Sequence, residues 1–189
     1  MTPAPSVASL YDRFYPEGDA ARPILLKHSG QVARLALDIN EAMGLPLDPV
    51  EVDYAAALHD IGICRTDAPG IGCRGSEPYL LHGVLGADML REAGAPEWAA
   101  RVAERHTGAG IYPADIISLG LPLPADRILY PVTPLERLVC YADKFYSKSA
   151  DMSRKSIERV RASMARHSAA TLERFEALHA CYGKYLTQR

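Results

Sequence analysis

Apolar residues that recur at three- and four-residue steps, between clear start and stop signals, are what most constrain the fold of this chain. From Pro23 to Met43 the apolar side chains follow the spacing of one helix face, and Gly44 then provides a left-handed helix end. Asp48–Glu51 and Thr133–Glu136 each combine a capping residue with Pro at the first helical position and Glu at the third. No segment shows a convincing strand pattern, so the sequence predicts an all-α fold, a compact bundle of several helices.

The remaining helices are predicted from the same signals. They are expected at Val7–Phe14, Asp48–Ile61, Ser76–Ala93, Pro96–His106, one turn near Ala114–Ser118, Thr133–Lys148, and from Ser153 to the end with a break near Arg166–Ser168. We expect an N-terminal extension over residues 1–22, a main domain over 23–150, and C-terminal helices over 151–189 that pack on the same domain.

Composition excludes several classes of protein. The 189 residues are 48% apolar, enough for one domain with a substantial core. A net charge of −2 without a basic stripe argues against binding to duplex nucleic acid, and no 18-residue apolar run suggests a membrane span. The N-terminus lacks the features of a signal peptide, and the 4 cysteines form no close pair. We therefore expect a cytoplasmic protein with reduced thiols.

Three histidines lie on otherwise apolar helix faces. His28, His82 and His106 each share a predicted inward stripe with aliphatic residues. One interpretation of each is a core histidine that hydrogen-bonds a backbone carbonyl. The other is a metal ligand, because imidazole is a common ligand of divalent ions.

Two aspartates, Asp60 and Asp143, also lie on or next to apolar stretches of predicted helices. His59 and Asp60 end an apolar helix just before Gly62, and Asp143 follows Leu135 and Val139 at four-residue steps. A buried carboxylate is unfavourable unless it is paired or binds a cation. A salt bridge with an arginine is the alternative for Asp143.

Together these residues could form two metal sites. One divalent ion could be held by His28, His59, Asp60 and Asp143, and a second by His82, His106 and a shared Asp60. Each ion would keep open positions for water and substrate, as a catalytic site requires. A water molecule bridging two ions is readily deprotonated and can attack a phosphorus atom.

This order of residues, with His59-Asp60 followed by Ile61-Gly62, resembles the HD superfamily of metal-dependent phosphohydrolases over about Leu25–Lys148. On that resemblance, four residues match the defining ligands of the family and two match the extra histidines of its dinuclear branches. The first group is His28, His59, Asp60 and Asp143, and the second is His82 and His106. The segments around His82 and His106 are similar to small bacterial members that hydrolyse diadenosine tetraphosphate, and to uncharacterised small HD hydrolases.

The resemblance implies hydrolysis of a phosphoester or phosphoanhydride, of a nucleotide or dinucleotide, with Asp60 bridging the ions and orienting the hydroxide. One or two divalent ions are implied: iron or manganese first, with nickel, cobalt, magnesium or zinc as alternatives. The family also contains di-iron oxygenases with the same ligands, which act on small polar or phosphonate substrates. A non-catalytic nucleotide- or metal-sensing module is the third hypothesis.

The sequence offers several candidates for residues that bind phosphate. Many family members carry a lysine directly after the His-Asp-Ile-Gly motif, where this chain has Ile63 and Cys64. Candidate replacements are Arg65, Arg74, Arg105 and Lys144.

Two connecting segments are candidates for contact with substrate. The loop Cys64–Glu77 is either a solvated loop or the rim of the site, and residues 109–132 are either a substrate wall or a Pro-stiffened cover.

The expected partner is a small phosphorylated molecule, and the apolar stripe of the C-terminal helix could pair in a homodimer.

Overall fold

The computed structural model describes residues 3–148 and 152–187 and is an all-α bundle, which confirms the predicted fold class. The boundary expected between residues 150 and 151 lies outside the described residues. The helices are α1 Val7–Phe14, α2 Arg22–Met43, α3 Pro49–Leu58, α4 His82–Glu92, α5 Glu97–Arg105, α6 Pro113–Leu119, α7 Pro134–Asp143, α8 Ile157–His167 and α9 Ala169–Tyr182. In these ranges, no helix is both long and apolar enough to cross a membrane.

The predicted start and stop signals form hydrogen bonds with the backbone at the helix ends. Gly44 has φ 58° and its N–H donates to the carbonyls of Asn40 and Glu41, so α2 ends in a left-handed cap. Thr133 and Glu136 form the expected capping box at the start of α7, and the Asp48 side chain accepts from the N–H of Val50 at the start of α3.

Helix α8 begins at Ile157 and not at Ser153, and three boundaries near the metal-site candidates also differ from the prediction. Two helices end earlier than expected, α3 at Leu58 and α7 at Asp143. The turn Tyr79–Leu81 is a 3-10 helix, so α4 begins at His82 and not at Ser76. In all three cases a metal-site candidate lies at or next to the helix end, where the apolar spacing gives no boundary signal.

The prediction that the chain contains no strand was wrong. The loop after the His-Asp turn forms a short antiparallel hairpin of β1 (Asp67–Ala68) and β2 (Cys73–Arg74), with Asp67 opposite Arg74. Strands of two residues are too short to produce a period-2 pattern. Gly72, with φ 86°, supplies the left-handed residue of the turn.

Two groups of buried side chains support the centre of the bundle. The larger unites α2, α3 and α7 with the C-terminal helices, for example through Tyr141, Val160 and Phe175. The smaller joins α1 to the turn that follows α3, with Tyr15 and Ile61 both buried. The turn that carries His59 and Asp60 is therefore enclosed from both sides.

Close contact between this turn and α4 requires glycine. A Cβ atom at Gly62 would lie 2.2 Å from the carbonyl oxygen of His82 and 2.3 Å from the backbone nitrogen of Gly86. Gly62 thus allows the two backbones to approach directly, which brings His59 and Asp60 near His82.

Candidate metal centre

Six side chains from five helical segments meet in the core of the bundle. His28 lies within α2, and Asp143 is the last residue of α7; the others lie at or next to helix ends. Two sets have ligand atoms within 4.8 Å of one another, namely His28, His59, Asp60 and Asp143, and Asp60, His82 and His106. The structure therefore brings together all six residues that the sequence singled out.

Asp60 is the link between the two sets. Its Oδ2 atom lies 3.1 Å from His28 Nε2 and 3.0 Å from His59 Nε2. Its Oδ1 atom lies 3.4 Å from His82 Nε2 and 3.3 Å from His106 Nε2. Asp143 Oδ1 completes the first set at 3.1 Å from His28 Nε2. Each carboxylate oxygen of Asp60 thus faces a different pair of imidazoles.

Backbone carbonyls fix the orientation of three of the rings. The Nδ1 atoms of His59, His82 and His106 lie 2.6, 2.7 and 2.8 Å from the carbonyl oxygens of Ala56, Tyr79 and Ala103. A carbonyl oxygen only accepts, so each Nδ1 carries the proton and, in a neutral ring, Nε2 carries the lone pair. This arrangement of a histidine ligand and its supporting acceptor is common around protein-bound metals.

The resulting lone pairs of His82 and His106 point at each other, with their Nε2 atoms 3.1 Å apart. In the first set, His28 Nε2 and His59 Nε2 are 3.3 Å apart. Both Asp60 oxygens are buried, and apart from their contacts with the four histidines and Lys148 they have no well-aligned hydrogen bond within the described chain. Imidazole nitrogens and carboxylate oxygens that converge in this way fit a cation, and the mixed set suits a divalent transition metal.

The electrostatics of the two sets differ. Burial opposes charge on His59, but Asp60 and Asp143 outweigh burial and raise its pKa to about 9. Burial and the neighbouring His106 lower the pKa of His82 to about 3, and burial also lowers the pKa of His106. A positive charge is therefore favoured in the first set, while His82 and His106 remain neutral and able to bind a metal.

Two lysines lie next to the carboxylates. Lys144 Nζ is 2.7 Å from Asp143 Oδ2 and donates to the His106 carbonyl at 2.9 Å. Lys148 Nζ is 2.6 Å from Asp60 Oδ2. Burial opposes charge on Lys148, but Asp60 more than offsets this and raises the pKa of the lysine. Sequence reasoning named Lys144 and missed Lys148, which follows the end of α7 and therefore belongs to no periodic stripe.

The arginine candidates lie elsewhere. Arg105 Nη1 is 3.1 Å from both carboxylate oxygens of Glu136, and its Nε donates to the carbonyl of Ile128 at 3.2 Å. Arg65 and Arg74 are exposed, on the loop that carries the hairpin. Neither these two nor Arg105 borders the cavity described next, whereas Lys144 does. The guanidinium of Arg105 is already committed to a buried ion pair, so its predicted contact with phosphate has no support in the structure.

A cavity of about 830 Å³ opens onto the centre. Residues of both metal-site sets and both lysines border it, namely His82, His106, Asp143, Lys144 and Lys148. Several residues of the segment 108–121 form another part of the wall, so the first half of the predicted segment 109–132 borders the cavity. A volume in this range is typical of sites for small organic ligands.

Comparison with known proteins agrees with this geometry. The family model described as HD domain matches residues 25–147, most of the chain. Uncharacterized protein MJ0778 of Methanocaldococcus jannaschii is 39% identical over 122 residues, 63% of this chain and 64% of that protein.

Two longer relatives share only part of their length with this chain. The tRNA (cytidine(56)-2'-O)-methyltransferase of Thermoplasma volcanium is 33% identical over 76% of this chain and 37% of the relative. That of Picrophilus torridus is 28% identical over 86% and 42%. The chain spans less than two thirds of each curated relative described here, so the name of the whole methyltransferase does not identify the activity of the shared segment.

Solved structures show the same fold. The HD domain of the L. monocytogenes phosphodiesterase PgpH superposes with a TM-score of 0.52, covering 95% of this chain and 98% of that one at 15% identity. Its complex with cyclic-di-AMP gives a TM-score of 0.54, covering 97% and 99% at the same identity. At this level of identity the similarity establishes the fold.

Proposed function

The chain belongs to the HD domain family, and on that premise we propose that it is a metal-dependent phosphohydrolase that cleaves a phosphoester or phosphoanhydride. The observation that carries the proposal is the position of Asp60, whose two oxygens face two separate histidine pairs beneath one large cavity. This arrangement suits two ions that share one carboxylate.

The proposed ligands are the six converging residues. His28, His59 and Asp143 would hold one ion, His82 and His106 the other, and Asp60 both. When bound, such ions lower the pKa of a water molecule and neutralise phosphate charge. The carbonyl acceptors behind the rings keep the Nε2 atoms aimed at the same point, so little reorganisation is needed on binding.

Lys144 and Lys148 are the proposed phosphate-binding residues. Both border the cavity, and each ammonium group lies within ion-pair distance of a carboxylate of the centre. Once those carboxylates bind ions, the lysines can turn their remaining N–H groups to a phosphate oxygen. They take the place of the lysine that many family members carry directly after the motif.

We propose a nucleotide or dinucleotide as the substrate. The cavity of about 830 Å³ is far larger than a phosphate group requires. Aromatic rings of Tyr79 and Tyr146 border it and offer surfaces for a nucleobase. A distant structural neighbour was solved with cyclic-di-AMP, which makes cyclic dinucleotides sensible members of a test panel.

The test joins metal analysis to a hydrolysis screen. Protein loaded with Mn²⁺ or Fe²⁺ is assayed on bis-p-nitrophenyl phosphate, mononucleotides, dinucleotides and cyclic dinucleotides. Asp60→Ala should lose both metal and activity. Lys148→Ala should retain metal but lose about 10²-fold or more in kcat/KM, since a charged contact to the reacting group is removed. Lys27→Ala, at an exposed position of α2, is the matched control and should behave as wild type.

Two results would refute the proposal. Substrate-dependent oxygen uptake by an iron-loaded sample, without phosphate release, would indicate an oxygenase. Stoichiometric metal binding without turnover of any member of the panel would indicate a binding module.

A further inference from the structure

We infer that the C-terminal helix pair α8–α9 forms a second anion-binding subsite in the same cavity, centred on Arg166. The subsite would select substrates that carry a second phosphate, separated from the phosphate at the metal centre by an apolar body. The inference rests on the proposed function, because it takes the metal centre as the place of the first phosphate.

The cavity wall extends beyond the residues that the family model matches. The family match ends at residue 147, yet the wall continues well beyond it. The later wall residues are Lys155, Met164, Arg166, His167, Thr171 and Arg174. Part of the cavity is therefore built by helices that the family model does not include.

This C-terminal part of the wall is firmly attached to the main bundle. The backbone N–H of Lys155 donates to the Phe145 carbonyl at 2.8 Å, and its Nζ donates to the Tyr146 carbonyl at 2.9 Å. Val160 and Phe175 belong to the main core cluster. The helix pair is thus a fixed side of the cavity and can position a charge reproducibly.

The charged side chains of this part of the wall differ in whether they are already paired. Arg174 forms an ion pair with Asp115 at 2.8 Å, and its guanidinium lies 4.9 Å from the ring centroid of Tyr112. Asp115 also borders the cavity, but Arg174 compensates its charge. Arg166 is exposed and has no ion-pair partner among residues 3–148 and 152–187. Lys155 Nζ already donates to backbone carbonyls of Lys144 and Tyr146. The exposed cation of this wall that is left to bind an anion is therefore Arg166.

The length of α8 and the apolar residues of the wall indicate what kind of ligand fits the cavity. Lys155 is attached beside the end of α7, and Arg166 lies in the last turn of α8. At about 1.5 Å per residue, α8 spans roughly 14 Å between Ile157 and Arg166. Other wall residues are apolar, namely Ile111, Leu119, Leu121 and Met164. A phosphate group alone would leave this surface uncovered, whereas a nucleoside flanked by two phosphates would cover it.

The test compares two ligands that differ by one phosphate. Isothermal calorimetry on the Mn²⁺-loaded protein measures the affinities of AMP and adenosine 3′,5′-bisphosphate. Wild type should bind the bisphosphate about tenfold more tightly, as one charge-assisted contact allows. Arg166→Ala should bind the bisphosphate and AMP with nearly equal affinity, and its affinity for AMP should be unchanged. Arg166→Lys should restore part of the preference for the bisphosphate.

Arg159→Ala is the matched control, because Arg159 is an exposed arginine on the same helix that does not border the cavity. It should keep the wild-type ratio. Equal affinity of wild type for both ligands, or an equal effect of Arg159→Ala and Arg166→Ala, would overturn the subsite. Failure of the proposed function would instead appear as absent hydrolysis in the screen, whereas the affinity ratio is a binding quantity that does not require turnover.

Discussion

The Nε2 atoms of His82 and His106 lie 3.1 Å apart although the Nδ1 atom of each ring is already paired with a backbone carbonyl. Two neutral imidazoles held in this way direct lone pairs at each other, which is unfavourable in a buried site. A cation between them removes the conflict. The histidine pair is therefore structural support for a second ion beside the one proposed between His28, His59 and Asp143.

Ion stoichiometry should follow the two ligand sets. Wild type is expected to bind about two ions per chain, and His106→Ala about one, since a catalytic-type ion needs about three protein ligands. Elemental analysis after dialysis measures the change. Metal at 100 times its dissociation constant should stabilise wild type by about 2.7 kcal/mol per site, which thermal unfolding can detect. An unchanged stoichiometry in His106→Ala would show that the second set does not bind an ion.

Tyr15 precedes the residues that the family model matches, and we expect it to influence metal binding. Its hydroxyl donates to the Ile61 carbonyl at 2.9 Å and accepts from the N–H of Cys64 at 2.8 Å, and the ring is fully buried. Tyr15→Phe removes both of these hydrogen bonds from a buried turn, which should lower the free energy of unfolding by about 1–3 kcal/mol. Because this turn directly follows Asp60, we also expect weaker Mn²⁺ binding in a calorimetric titration.

Tyr54→Phe is the control for a general effect of N-terminal anchoring. The Tyr54 hydroxyl donates to the Pro5 carbonyl at 2.8 Å and does not contact the His-Asp turn. Its loss should lower the free energy of unfolding by about 1 kcal/mol and leave metal affinity unchanged. Equal losses of metal affinity in both variants would contradict a positioning role for Tyr15.

Two glycine-to-alanine variants should have opposite effects on stability. In Gly62→Ala the new Cβ would lie 2.2 Å from the His82 carbonyl oxygen, so the backbone of the turn or of α4 must move. We expect a loss of about 3 kcal/mol or more in unfolding free energy. Gly30→Ala, in the exposed middle of α2 with nothing within 4 Å, should gain about 0.5–1 kcal/mol. Urea unfolding of both variants measures the difference, and similar values would refute the close packing.

His179 should contribute to acid sensitivity. Burial and the neighbouring Arg161 lower its pKa below the ordinary value of 6.5, and its Nδ1 is 2.8 Å from the Tyr141 hydroxyl. As pH falls below 6.5 the unfolded chain takes up this proton before the folded protein does, so stability is lost between 6.5 and the lower folded-state pKa.

His179→Gln should therefore reduce the loss of unfolding free energy between about pH 7 and pH 5. Urea unfolding at several pH values in this range measures it. His167→Gln, at an exposed position of α8, controls for the loss of one histidine. An equal pH dependence in wild type and His179→Gln would refute the prediction.

Much of the fold could be predicted because it is specified locally. The Gly44 cap, the Asp48 cap and the Thr133 capping box act on neighbouring backbone groups and appear as expected. The short hairpin at Asp67–Arg74 was missed because two-residue strands leave no periodic signal. The fold class therefore follows from the sequence, while exact boundaries near the centre do not.

The sequence by itself determined the residue types of the candidate centre, because a histidine or carboxylate on an apolar helix face is informative wherever the chain places it. Only the tertiary structure decided how these residues combine. It directed the two oxygens of Asp60 to different histidine pairs, brought Lys148 to Asp60 from beyond the end of α7, and committed Arg105 to Glu136. The physical reason is that periodicity reports which face of one helix is buried, whereas partners from separate helices are set by packing.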